Sequence, residues 1–166
     1  MTTARKNELP KNELPKNELT IIRMLDAPRE KVWRACREPE ALKQWWGLPN
    51  GATMPFCKVD FRVGGSLHCG IEPADGTEIW FKWIYREIVE GERLVLEQHL
   101  SDEAGSELDS PARPASTITL CFEDMNGKTK LTITHVGMAS EVYPVELFKE
   151  GWSQSLDRLA LGLTIA

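Results

Sequence analysis

Between Tyr143 and Leu163 the apolar residues Val145, Phe148, Trp152, Leu156, Leu159 and Leu163 recur at steps of three, four, four, three and four. That spacing gathers them on one stripe of an α-helix, with Glu146, Lys149, Glu150, Asp157 and Arg158 on the other side. Pro144 suits a first helical position, because its missing N–H has no partner to lose there and its φ is already helical. The helix is therefore predicted to begin near Tyr143. Burying six such side chains is worth roughly 10 kcal/mol before conformational entropy is subtracted, which requires a large apolar partner. Only a sheet built from the preceding chain can supply it. Gly151 interrupts the pattern at a cost of about 1 kcal/mol against alanine. The default explanation is close packing of helix backbone on the sheet; the other is room beside Trp152 for something bound.

Upstream the period changes to two. Strands are predicted at 20–25, 54–63, 66–72, 77–90, 93–100, 116–124 and 128–136. Gly64-Gly65, Ala74-Asp75-Gly76, Glu90-Gly91-Glu92 and Asn126-Gly127 separate them with the turn chemistry of antiparallel hairpins. Residues 101–115, rich in Ser, Asp, Glu, Pro and Gly, read as a long, mobile polar loop. After the first strand, Asp26 is placed to cap a helix with Pro28 in its first turn. That helix carries Val32, Trp33 and Cys36. Pro39 ends it and opens a second short helix with Leu42, Trp45 and Trp46, which Gly47 is placed to stop. One of the two tryptophans should anchor this helix while the other borders a pocket mouth. Seven strands with one covered face need a cover, and the C-terminal helix is the only one available. The fold class is α+β, a curled antiparallel sheet wrapped around a long helix.

Residues 6–20 read KNELP, KNELP, KNELT. A period of five does not match the helix, and proline closes each of the first two copies. Residues 1–19 are thus an expected extended or disordered arm and 20–166 the folded domain. A docked arm reaching a second copy through Leu9 and Leu14, giving a homodimer, is the sharper alternative.

Composition adds exclusions. Twenty Lys and Arg against twenty-five Asp and Glu leave a net charge of −5, with no basic stripe to follow phosphates, so nucleic acid is not an expected partner. No apolar run reaches the roughly 20 residues that span a bilayer. The polar N-terminus lacks the apolar core of a signal peptide, making the cytoplasm the expected location. There Cys36, Cys57, Cys69 and Cys121 read as reduced and mostly structural. Cys57, Asp60, His68 and Cys69 can be drawn as a metal site, but alternation sends His68 and Cys69 to opposite faces. No phosphate loop, nucleophile motif or paired-carboxylate spacing occurs, so neither metal nor cofactor is expected and no reaction is specified.

Nine local motifs then fall in one order: Ile22-Arg23 to Asp26-Ala27-Pro28; Val32-Trp33; Pro39-Glu40-Ala41-Leu42; Gln44-Trp45-Trp46-Gly47; Asp60 through Gly65; Arg93-Leu94-Val95; Lys128 through Thr132; Thr134-His135; and Gly151-Trp152 through Leu159. Together they resemble the START-like (SRPBCC, helix-grip) superfamily, in the branch similar to the C-terminal domain of the activator of the heat-shock-protein ATPase. The likeness spans residues 20–163. It implies a β-α-α-β-β-β-β-β-β-α order with a cavity between sheet and long helix, used by relatives for lipids, sterols, phenolics or polyketides and in some for cyclase or dehydratase chemistry. The repeat arm stands in place of that co-chaperone's additional N-terminal domain, so direct activation of the ATPase is not expected.

Alternation selects the residues that face such a cavity. Ile118, Leu120 and Phe122 share one side of their strand, and His135 falls in phase with Leu131 and Ile133. Phe81, Trp83 and Tyr85 form the uniformly apolar side of strand 77–90, whereas Trp80 sits with Lys82 and Arg86. The candidate ligand-binding residues are therefore Trp46, Phe81, Trp83, Tyr85 and Phe122, with His135, Phe148, Trp152 and Leu156. A histidine on an apolar face is most often a satisfied core residue; a pKa near 6.5 would also make it the natural acid or base of a cavity. Asp60 and Arg62 read as a structural ion pair, with each other or with Glu87. The leading expectation is a binder of a small apolar or aromatic molecule. The alternatives are a co-chaperone-like interaction module using the convex sheet face or the loop 101–115, which an exposed Trp80 would favour, and a cyclase or hydrolase using His135.

Overall fold

The computed structural model describes residues 17–164, and the expectations for the repeat arm up to residue 16 lie outside them. Strand β1 (Glu18–Leu25) leads into helices α1 (Arg29–Ala35) and α2 (Pro39–Trp45). The chain continues through β2 (Thr53–Val59), β3 (Ser66–Glu72), β4 (Ile79–Val89) and β5 (Arg93–Ser101). After β6 (Glu107–Leu108) come β7 (Ser116–Met125), β8 (Lys128–Val136) and the long helix α3 (Val145–Leu163). All pairings are antiparallel, in the order β1-β8-β7-β5-β4-β3-β2, with β6 beside β5. This is the α+β helix-grip architecture. It differs from the expected seven strands by β6, a two-residue strand inside the stretch read as a polar loop.

Local chemistry explains the joints and two shifted helix starts. Asn126 and Gly127 both take positive φ, 56° and 88°, so two residues close the β7–β8 hairpin. Asp26 does not cap α1: Pro28 is the N-cap residue, and its carbonyl accepts from the N–H groups of Lys31 and Val32. Pro144 likewise stands one place before the helix, at ψ 165°, and α3 starts at Val145. Gly47 takes φ 65° just after α2, as its stopping role requires. Strand β2 ends at Val59, so Asp60 and Arg62 meet in the following turn (3.0 Å) while Glu87 pairs with Arg93 (2.7 Å).

The inward faces of the strands and the stripe on α3 make one core. Leu156, Leu159 and Leu163 are buried with Leu94, Leu120 and Ile133. Polar side chains fix how the helix lies. Arg158 donates to the carbonyls of Gln44 and Ala52 (3.0 Å each). Arg23 reaches Asp157 Oδ1 (2.9 Å) and the Ser153 carbonyl (3.3 Å). At the far end Lys31 Nζ donates to the Leu163 carbonyl (2.8 Å), placing a cation at the negative end of the helix dipole. These ties span both short helices and the first strand. The N-terminal half of α3 is thereby held over β4 and β5 without closing onto them.

Candidate functional site

The space left under that half of α3 is a cavity of about 480 Å³, within the usual range for small-molecule sites. Trp46, Phe81, Trp83, His135, Phe148 and Trp152 supply its rings. Of the two adjacent tryptophans, Trp45 is the anchor, donating from Nε1 to the Ala35 carbonyl (2.9 Å). Trp46 faces the cavity and meets Trp45, Trp83 and Trp152 edge to face, with centroids 5.4, 5.6 and 5.6 Å away.

Tyr85, Phe122 and Leu156 are buried but lie outside this wall. Phe122 packs on Trp33 (5.2 Å), Trp33 on Phe61 (6.0 Å) and Phe61 on Tyr85 (5.1 Å), a second aromatic cluster. Alternation assigns a residue to a face but not to a position along the strand. Tyr85 sits where β4 bonds the Gly64-Gly65 turn, and there the face is filled with protein. Burial pushes its phenol well above the usual range.

His135 is held on both sides. Trp152 Nε1 donates to its Nδ1 (3.0 Å), so the ring proton sits on Nε2 and is directed at Ser116 Oγ (2.9 Å). His135 is 2% exposed, and desolvation lowers its pKa from 6.5 to about 4. With both nitrogens engaged, the imidazole positions Trp152. Trp83 Nε1 is satisfied by Gln98 Oε1 (2.9 Å), and Gln154 Oε1 accepts from the Asn50 N–H (2.8 Å). These bonds engage the polar atoms of Trp83, Gln98, His135 and Trp152, while Trp46 Nε1 has no partner among the described residues.

Gly151 lines the cavity, and a Cβ built on it meets no atom within 4 Å. Close packing of helix on sheet, the default explanation for this glycine, does not hold; the space beside Trp152 is open. Sequence reasoning missed Gln98, Ser116 and Arg113. The first two are polar residues in phase with apolar ones, Gln98 with Leu94 and Leu96, Ser116 with Ile118 and Leu120. That mismatch was the available signal. Arg113 lies between strands, where no periodicity applies. Its loop is tied down: Ser140 Oγ donates to the Ala112 carbonyl (2.8 Å), and Lys82 Nζ to the Gly105 carbonyl (3.2 Å).

On the outer face Trp80 is half-buried in a three-ring cluster with Phe56 (5.3 Å) and His68 (5.1 Å), which themselves meet at 5.7 Å. Gly70 makes this possible, since a Cβ there would come within 2.9 Å of the Trp80 ring. On the opposite face from His68, Cys69 Sγ lies 3.8 Å from Cys57 Sγ. That contact holds the Cys57 thiol below its usual pKa, while burial pushes Cys69 up.

Residues 26–163 match the model of the Activator of Hsp90 ATPase homolog 1-like protein family. The chain belongs to that family. This AHSA1-like protein is similar in structure to a protein from Chromobacterium violaceum, with 30% identity over 90% of this chain and 99% of that one and a TM-score of 0.74. It also resembles an uncharacterized Rhizobium leguminosarum protein, 27% identical over 90% and 95% of the two chains, TM-score 0.74. An AHSA1-like protein from Aeromonas hydrophila shares the fold at 19% identity, covering 90% and 96%, TM-score 0.68. No curated protein matches the chain. Among the described residues, no helix of the AHSA1-like domain is long and apolar enough to cross a membrane.

Proposed function

We propose that the protein binds a small apolar or aromatic molecule in the cavity between α3 and the sheet. The observation that carries this reading is the open, ring-lined space itself, in which Trp83, Gln98, His135 and Trp152 have polar atoms bonded within the protein. A pocket with that composition gains affinity by removing apolar surface from water, at about 25 cal/mol per Å². The enzymatic reading has less behind it: Nδ1 of His135 accepts from Trp152, and among the described residues no carboxylate is bonded to the ring to stabilise an imidazolium. An exposed Trp80 would favour the adaptor reading, but its ring is half-buried against Phe56 and His68.

Native mass spectrometry of the purified protein, followed by thermal-shift titration with lipids, phenolics and polyketide-like aromatics, tests the proposal. A retained mass, or a stabilisation that rises with ligand concentration as linkage requires, supports it. The same spectrum reports whether two copies pair. A clean apo mass with no stabilisation by any class counts against it.

Gly151 gives the matched variant. Gly151→Ala is expected to stabilise the protein by about 0.5–1 kcal/mol through helix propensity alone. Gly151→Leu should keep the fold, because nothing stands within 4 Å of the new Cβ, yet weaken ligand binding at least about tenfold by occupying the space. Unchanged affinity in Gly151→Leu would move the site elsewhere.

A further inference from the structure

Two charged residues line the cavity, Arg113 and Glu150, and they are not equivalent. Glu150 is exposed on α3 and already accepts from Gln154 Nε2 (3.4 Å). Arg113 is half-buried, with its guanidinium carbon 5.6 Å from the Phe81 ring centroid and 4.3 Å from that of Tyr143. Cation–π contacts of this kind hold the group in place without using its N–H donors as hydrogen bonds. Among the described residues no carboxylate lies within salt-bridge distance of Arg113 and no acceptor takes a bond from its side chain.

A guanidinium carries five donors in a fixed fork that matches a carboxylate. Here the fork sits beside an apolar cavity, on a loop pinned at the adjacent residue by Ser140. We infer that Arg113 anchors a carboxylate on the bound molecule, so the ligand class is an amphiphile with an apolar body and one acidic end. The inference rests on the apolar-ligand reading above and narrows it. A cavity of about 480 Å³ lies in the range of small-molecule sites and suits a fused aromatic or a medium-length acyl chain.

The test compares acid and amide forms of two bodies, 2-naphthoate with 2-naphthamide and dodecanoate with dodecanamide, by calorimetric titration of the full chain at pH 7.5. For at least one body the acid should bind about tenfold more tightly than its amide. In Arg113→Gln that preference should vanish while the amide binds as before, and Arg113→Lys should restore part of it. Equal affinity of both acids and their amides in the wild-type protein would overturn the role of Arg113 and leave the apolar site standing. Failure of all four probes to bind would remove the apolar site and this inference together. An acid preference that survives Arg113→Gln would place the anion elsewhere and refute the assignment.

Discussion

Trp46→Ala is expected to destabilise the protein by about 3–5 kcal/mol, the range for removing a fully buried large aromatic. A domain of this kind has only about 5–15 kcal/mol in total. Trp46 is 1% exposed, and three indoles pack on it; edge-to-face pairs add about 0.5–1.5 kcal/mol each beyond area burial. The void would also merge with the existing cavity, so surrounding atoms cannot collapse to fill it. Trp46→Phe should cost far less, about 1 kcal/mol. Trp46 Nε1 finds no acceptor among the described residues, and deleting a buried unpaired donor returns about 1–3 kcal/mol against the lost ring area. Urea unfolding of both variants decides the matter, read as a fall in midpoint at constant slope. A loss below about 1 kcal/mol for Trp46→Ala would mean that the indole cluster is not tightly packed. A loss in Trp46→Phe of about 3 kcal/mol or more would mean that Nε1 is hydrogen-bonded after all.

The sequence carried faces and order well, because periodicity reports which side of an element is buried. The α3 stripe, the inward phase of His135, and Phe81 with Trp83 against Trp80 were all legible for that reason. Depth along a strand was not. Tyr85 and Phe122 share faces with Trp83 and Ile118, but they lie where Trp33 and Phe61 fill the space. Adjacent residues such as Trp45 and Trp46 are separated only by how α2 docks. A loop residue like Arg113 has no period at all. Its position depends on Ser140 and on the rings of Phe81 and Tyr143, partners that folding brings together.

On the acid side of neutrality, the burial of His135 ties stability to pH. Its folded pKa is about 4, against 6.5 for the unfolded chain. Above pH 6.5 the imidazole is neutral in both states and its hydrogen bonds contribute fully. As pH falls below 6.5 the unfolded state takes up a proton that the folded state refuses. Stability then declines by about 1.4 kcal/mol per pH unit until about pH 4, a total of about 3 kcal/mol. Protonation is disfavoured by more than burial. A proton on Nδ1 would face the Trp152 indole N–H across 3.0 Å, donor against donor. Acid should therefore release Trp152 and loosen the cavity wall before the sheet unfolds. Carboxylates such as Glu97, held below its usual range first by its hydrogen bond from Arg86, lose stability in the same direction but lower on the pH scale. A control is needed to separate them. His135→Gln offers an acceptor to Trp152 and a donor to Ser116 without titrating in this window. The difference in unfolding free energy between wild type and His135→Gln should shrink by about 3 kcal/mol from pH 7 to pH 4. A difference that stays constant across that range would show that His135 is protonated as easily in the folded protein as outside it, and that the hydrogen bond to Trp152 does not form as described.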